Sequence, residues 1–458
     1  MKLRLALPQA RFAPLRWAAE VLFVEIMGLD VEFLSHPDQT IVLSAENSSL
    51  SMPSLFPDLS VAQDEWHLQI PGEELPSFDA AVAFPEVGVE LPVPVLFGKP
   101  SVLMTEGTIA LGMDVLGTAF FSLSRFEEVA LPERDRFDRF PATASLACKV
   151  GFLERPIVDE YAEILRAACR RLWPGLWMNV PEGRVIVSCD VDQPFDRVGT
   201  SARALLRSLA GDLGRRRKPS LALRRTKNFF AHRAGDLRFD PYYTFDWYLD
   251  TCERHGRSAT FHFISDHSAG AIDGNYDIYE PRILELIKML HERGHEIGMH
   301  GSFNTFRHPE QVVREKARLA KAIDMAGTGG KVACNRQHYL RWDSAETQDH
   351  LNSAGFDYDT TGSFADRPGF RYGTAFEFSM WSWRERNSLH LRQIPLIVME
   401  ASVMAKGYLG LGRTEAALAK ILELKRRAVR FGGNFSLLWH NSEFLFDQDR
   451  EIFEAVIT

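Results

Sequence analysis

From Arg184 onward the chain alternates short β-rich runs with amphipathic helical segments, and that alternation leaves few folds open. Arg184–Cys189, Ala259–Ile264 and Glu296–Met299 read as strands. Pro281–Arg293, stopped by Gly294, and His308–Ala326, with apolar positions three to four apart, read as helices. Strand-like pieces follow at Lys331–Ala333, Gln393–Met399 and Asn434–Trp439. Strands separated by helices pair in parallel, because a crossover must carry the chain back to the starting edge. The expectation is an α/β architecture whose parallel βα units close into a barrel or form an open sheet. In such folds functional side chains sit at the C-terminal ends of the strands.

The first 180 residues read differently. Leu15–Met27 has the pattern of an amphipathic helix ending at Gly28. Thr40–Ser44, Ala80–Ala83 and Val93–Phe97 read as strands, and Pro156–Leu172 as a helix. No cluster of His and carboxylates suggests chemistry here. A chain of 458 residues exceeds one typical domain. The expected division is a smaller N-terminal α/β domain over residues 1–180 and a second domain over residues 181–458, with an insertion at about 200–235. That insertion, Arg203–Arg233, contains Arg215-Arg216-Arg217-Lys218 and Arg224-Arg225. It is either a solvated helical face or a contact for an anionic substrate or anionic lipid headgroups.

A net charge of -8 argues against a nucleic-acid partner. The cysteines, at 148, 169, 189, 252 and 334, are odd in number, widely spread and without a CxxC pair. They suggest neither a disulfide framework nor a thiolate zinc site, and a reducing compartment fits best. Arg11 and Arg16 interrupt the apolar start, and no run of about 18 apolar residues exists. The expectation is a soluble cytoplasmic protein, with peripheral contact to a membrane surface left open.

Four constellations carry chemistry. Asp190 and Asp192 lie two apart at a strand end and so point to one side. Two such charges repel unless a cation sits between them or one takes a proton. A metal bound to one carboxylate, with the other free as a base, resolves the conflict; an acidic turn capping the next helix is the alternative. His300 directly follows a strand, where its imidazole suits zinc and similar ions or is a buried, hydrogen-bonded ring. Arg336, after Lys331–Ala333, can hold a carboxylate ionised and oriented. His440 follows Leu437-Leu438-Trp439, placed to act as a general acid.

In this order the four pieces resemble the polysaccharide-deacetylase (NodB-homology) domain, carbohydrate esterase family four, over roughly residues 184 to 445. The resemblance implies a distorted (β/α) barrel, a divalent metal such as Zn2+, and removal of acyl groups from glycans. Asp190-Val191-Asp192 resembles the first motif, making Asp190 the base and Asp192 a ligand. Gly294–His300 resembles the second, making His300 a ligand. Arg336 matches the arginine that braces the base, and His440 the histidine that protonates the leaving group. Gly355–Thr361 resembles the fourth-motif region. Phe121–Glu128 and Gly151–Pro156 resemble an uncharacterised domain that precedes some deacetylases of this kind.

One departure matters. The family places a second His four residues after the first, and Asn304 stands there. The metal then uses Asn304, or recruits His338, or rests on Asp192, His300 and waters. Loss of the metal would leave a glycan-binding or regulatory relic. Tyr339, Arg341, Trp342 and Asp359 are candidate substrate contacts. Trp342, Trp381, Trp383 and Tyr339 are sugar platforms or core. His262 is a core ring or lines the barrel near the site, Asp266 and His267 are placed to line the cleft, and Glu400 to support the site. His255, His291, His295 and His390 read as structural.

The expected reaction is hydrolysis of an N-acyl group, most simply N-acetyl, on an amino sugar of a surface-polysaccharide precursor that is lipid- or nucleotide-linked. A metal-free glycan-binding module and an amidase or deformylase for a small non-sugar amide are the alternatives.

Overall fold

The computed structural model describes residues 1–232 and 235–458, so Arg233 of the basic insertion lies outside the described residues. Two large sheets organise the chain. The first has β1 (Leu3–Pro8), β2 (Val31–His36), β3 (Thr40–Ala45), β4 (Ser48–Pro53), β5 (Gly98–Thr105) and β6 (Thr108–Met113), in the order β2-β1-β3-β4-β6-β5. Helix α1 (Phe12–Ala19) runs on in wider turns over Glu20–Ile26, and Gly28, at φ +70°, turns the chain into β2. Helix α2 (Ile157–Leu172) packs beneath this sheet.

The second sheet has nine strands: β7 (Val185–Val191), β8 (Ala259–Phe263), β9 (Glu296–Gly301), β10 (Cys334–Gln337), β11 (Tyr358–Asp359), β12 (Phe378–Ser382), β13 (Asn387–Gln393), β14 (Val398–Met399) and β15 (Phe435–Leu438). Their order is β12-β13-β11-β10-β9-β8-β7-β15-β14, parallel throughout except for the β12–β13 hairpin. The edges do not pair with each other, so the barrel is open. It is nonetheless strongly curled. Strands β7 and β10 stand three places apart, about 14 Å in a flat sheet, yet Arg336 of β10 donates to the Ser188 hydroxyl of β7 at 2.7 Å. Helices α3 (Ala202–Ala210) and α4 (Pro219–Ala231) form the insertion after β7, followed by α5 (Phe245–Arg254). The outer layer continues with α6 (Pro281–Glu292), α7 (Pro309–Met325), α8 (Glu415–Val429) and α9 (Asp447–Ile457).

Four expected strands differ, among them Gln393–Met399, where β13 ends at Gln393, residues 394–397 are irregular and only Val398–Met399 forms β14. Ala80–Ala83 is a helical turn, because Asp79 accepts from the Val82 N–H at 3.2 Å and caps it. A four-residue apolar run carries no period that separates the two. Only Val93–Pro94 of the third run pairs, with Ser77–Phe78. Lys331–Ala333 is irregular and the strand begins at Cys334, which places Arg336 inside a strand rather than after one.

The two sheets share one continuous apolar core that reaches from Leu3 to Ile457. The Trp17 indole N–H of α1 donates to the Ser379 carbonyl of edge strand β12 at 2.9 Å, and Glu25 pairs with Arg392 of β13 at 3.1 Å. Trp381 and Trp383 pack edge-on and tilted against Trp17, Phe120 and Phe126. At 3% and 9% exposure they are core residues of this junction, not sugar platforms.

A buried ion cluster ties the junction. Glu128 accepts from Arg125 Nε at 2.8 Å, from Arg371 Nε and Nη2 at 2.8 and 2.6 Å, and from the Ser344 hydroxyl at 2.6 Å. Burial pushes the Glu128 carboxyl up, but Arg371 and Arg125 more than offset it and leave it at about 2. Such a depressed carboxylate contributes stability that is present above its ordinary value of 4.5 and is lost as pH falls toward 2. Replacing Glu128 by Gln should cost about 3–5 kcal/mol in urea unfolding at neutral pH, because it leaves the buried Arg371 without a counter-charge, while Arg125 keeps Glu127 at 2.6 Å. It should also flatten the loss of stability below pH 4.5.

Candidate metal centre

Strand register assembles the site. Ser188 and Asp190 on β7, and Asp192 directly after it, point to the barrel interior, while Cys189 and Val191 pack into the outer core. Asp190 is level with His262 of β8, and His262 with Gly298 of β9. Adjacent positions in a parallel pair face the same side, so His262 shares the interior with Asp190. A side chain at Gly298 would meet the His262 ring at 2.6 Å and the Cys334 sulfur at 2.5 Å, so glycine makes room for that imidazole. Two residues further along, His300 is level with Arg336 of β10.

The result is one pocket of about 240 Å³ at the C-terminal end of the strands. Asp190, Asp192, His300, His338, Tyr339 and His440 line it. Asp192 Oδ1 is 3.3 Å from His300 Nε2, and Asp192 Oδ2 is 3.7 Å from His338 Nε2 and 3.8 Å from His440 Nε2. Asp190 lies 3.3 Å from His262 Nδ1, 3.7 Å from Arg336 Nε and 3.7 Å from His300 Nε2. His440 Nδ1 meets Glu400 at 2.5 Å.

Donor atoms of Asp192, His300 and His338 all lie within 4.8 Å of one another. Their chemistry fits a divalent cation. Asp192 Oδ1 is buried without a hydrogen-bond partner. His300 Nδ1 lies 2.9 Å from the Arg336 carbonyl, which only an N–H can satisfy, so its Nε2 turns a lone pair to the pocket. His338 Nδ1 lies 3.0 Å from Asp273, which orients that ring in the same way. Two imidazoles and one carboxylate are a donor set that zinc accepts.

Charge is distributed to suit a base and an acid. Burial raises the Asp190 carboxyl, yet Arg336, His300 and His262 hold it well below the usual carboxylate range. Burial presses His262 down to about 4, so this ring stays neutral beside Asp190. His440 moves the other way: burial lowers it, but Glu400, Asp192 and Asp190 raise it to about 10.

The remaining candidates lie elsewhere. Asn304 accepts from Arg341 Nη1 at 3.3 Å and donates to the Ser268 carbonyl at 3.1 Å, beside a separate cleft with His308 and Arg314. His338, not Asn304, therefore joins the cluster. The Arg341 guanidinium stacks over Phe303 and Phe306 at 4.0 and 4.1 Å and donates to the Phe303 carbonyl. Trp342 is buried in the core. Asp359 is buried too, accepting from Asn335 and from Thr361. It braces the turn whose Thr360 hydroxyl accepts from Arg336 at 3.1 Å. Of the four expected substrate contacts only Tyr339 lines the pocket. Asp266 turns to Gln311 and Arg314, away from it.

Two further contributors are not evident from the sequence alone. Asp273 precedes Gly274, whose φ of +90° lets the chain pass where a side chain would meet the Asp192 carbonyl at 2.7 Å. The Asp-Gly pair marks a turn, but nothing local ties it to His338. Arg139 comes from the first 180 residues. Asp135 holds its guanidinium at 2.7 and 2.9 Å, it donates to the Tyr339 carbonyl at 2.9 Å, and it stands at the pocket rim. Tyr339 and Leu340 both adopt positive φ, at +62° and +53°, a conformation that costs non-glycine residues about 1–3 kcal/mol each. A larger cavity of about 500 Å³ opens at the opposite end of the barrel and reaches Ser188 and Arg336 but none of the three donors.

Residues 4–174 match the profile of a family of unknown function, DUF7033. No curated protein matches the chain. Among solved structures, a Mycobacterium smegmatis protein assigned as a polysaccharide deacetylase is 17% identical, with 62% of this chain and 85% of that one covered and a TM-score of 0.38. A family 4 carbohydrate esterase from Streptomyces lividans, solved with acetate, is 14% identical over 60% of this chain and 86% of that one, with a TM-score of 0.27. A mutant of a CE4 family pseudoenzyme with restored activity is 12% identical over 61% and 62%, with a TM-score of 0.29. Overlaps of this size leave function to rest on the pocket itself.

Calorimetric titration with Zn2+ should show binding that falls sharply in His300→Ala and His338→Ala. Asp273→Asn should weaken it by about 10–100-fold. Asn304→Ala should leave it unchanged, and an equal loss there would reassign the third donor.

Proposed function

We propose that this chain is a metal-dependent deacylase that hydrolyses an N-acyl group, most simply N-acetyl, on an amino sugar of a polysaccharide precursor. One observation carries the reading. A buried ionised carboxylate, a three-donor cluster and a carboxylate-paired imidazole meet in one pocket, from strand ends spread between residues 190 and 440. The motif resemblance to polysaccharide deacetylases supports the saccharide as substrate class, as does Tyr339, an aromatic residue that is 36% exposed and lines the pocket.

Asp192, His300 and His338 would hold the cation, and Zn2+ suits them. When bound it supplies Lewis-acid polarisation of the acyl carbonyl and a more acidic water. Asp190 accepts the proton of the attacking water, being kept ionised by Arg336 and flanked by the neutral His262. His440, oriented by Glu400, gives its proton to the departing amine so that the carbon–nitrogen bond can break. Tyr339 offers a ring face for a sugar, and Arg139, its guanidinium paired with Asp135, fixes the Tyr339 backbone at the pocket rim.

Acetate release from N-acetylated amino sugars, nucleotide-linked and lipid-linked, tests this. Wild type loaded with Zn2+ should release acetate. Asp190→Asn and His440→Ala should each lose about 10²–10⁴-fold in kcat with unchanged circular dichroism. Saccharide binding without acetate release from any of these substrates would replace the enzyme with a binding protein. Release from small non-sugar amides alone would replace the substrate class.

A further inference from the structure

The insertion carries a surface that the pocket chemistry does not use. Residues 202–231 hold nine Lys or Arg and a single acid, Asp212, in a chain whose net charge is -8. Asp212 is spent inward: it lies 3.4 Å from the buried Arg225 and accepts from Arg216 at 2.8 Å. Arg224 and Lys218 donate to backbone carbonyls. Arg203, Arg207, Arg215 and Arg217 stay exposed, with no ion pair among the described residues.

Large apolar side chains stand among these cations. Leu206 is 69% exposed, Leu213 56%, Leu223 59% and Phe230 64%. Arg203, Leu206, Arg207 and Ala210 follow helical i, i+3, i+4, i+7 spacing on α3, and Leu223, Lys227 and Phe230 follow i, i+4, i+7 on α4. Each helix therefore has an outward stripe that is both apolar and cationic. Its inward stripe is accounted for, since Leu205, Leu209 and Phe229 close a small core with Val198.

The hairpin sits at the pocket end of the barrel. It leaves the end of β7, and Lys218 Nζ donates to the Leu445 carbonyl at 2.7 Å, just beyond His440. The same ammonium lies 4.3 Å from the Phe446 ring.

We propose that this hairpin docks the protein on an anionic lipid surface, with the pocket end of the barrel toward the membrane. Cations alone would serve any polyanion. Exposed Leu and Phe side chains between them fit a bilayer, where charges meet headgroups and apolar tips enter the acyl boundary. The rest of the chain is strongly acidic, so a negative surface repels it and attracts the hairpin, which orients the encounter.

Cosedimentation of the full chain with vesicles tests this without reference to catalysis. The chain should bind vesicles of phosphatidylcholine containing phosphatidylglycerol, bind pure phosphatidylcholine poorly, and be released by salt. Two combined variants should each weaken partitioning by about tenfold or more: Leu206→Ser with Leu213→Ser, Leu223→Ser and Phe230→Ser, and Arg203→Gln with Arg207→Gln, Arg215→Gln and Arg217→Gln. Both should keep the wild-type circular dichroism and Zn2+ binding, which separates loss of docking from loss of fold or site. No binding to phosphatidylglycerol vesicles by wild type would overturn the proposal. So would undiminished binding by the serine variant together with full displacement by heparin, which would assign the surface to a soluble polyanion.

Discussion

Asp190 and Asp192 stand two residues apart at the end of one strand and face the same interior, where their mutual repulsion in a largely buried place has to be compensated. Each neighbouring strand brings something toward that demand. Arg336 from β10 stands against Asp190, His300 from β9 lies between the two carboxylates, and His338 faces Asp192. The compensation is uneven, and that unevenness separates their roles. Each keeps one buried oxygen without a hydrogen bond, but Asp190 meets a guanidinium and a neutral ring, whereas Asp192 faces His300 and His338, the two imidazoles of the donor cluster. One carboxylate is thereby suited to proton transfer and the other to ligation.

A second set of residues holds the first in place. Asp273 orients His338, Glu400 orients His440, and the Asp359–Thr360–Thr361 turn receives Arg336. These side chains lie far apart in the chain and acquire a role only when the sheet curls. Curling also brings Ser188 under Arg336, so the guanidinium is held from below by a hydroxyl as well as drawn to Asp190.

Much of this is legible in the order of the amino acids. The second sheet shows itself in the β-rich runs that start at Arg184, and Asp190, Asp192, His300, Arg336 and His440 stand out as polar residues at or near strand ends. What stays hidden has physical causes. Asn304 holds the position of an expected ligand, but the turn after β9 ties it to Ser268 beside a neighbouring cleft, and only the fold can choose His338 instead. Arg341, Trp342 and Asp359 lie close to the motif in the chain but turn into the core or into local hydrogen bonds, which spacing cannot reveal. His262 is ambiguous in sequence because a buried ring and a site ring share one alternating pattern, and the parallel register with Asp190 decides it. Arg139 and Asp273 carry no local mark of their distant partners.

The shared core between the two sheets has a consequence for how this protein can be divided. The aromatic junction of Trp17, Phe120, Phe126, Trp381 and Trp383, the covered edge of β12 and the Arg139 rim all belong to both halves at once. Truncation near residue 180 would bare two tryptophans and an unpaired strand edge, an invitation to aggregate. It would also remove the one guanidinium that the leading half lends to the pocket. The N-terminal half is thus neither a removable tag nor a spacer, and material expressed without it would report on a different, stickier molecule.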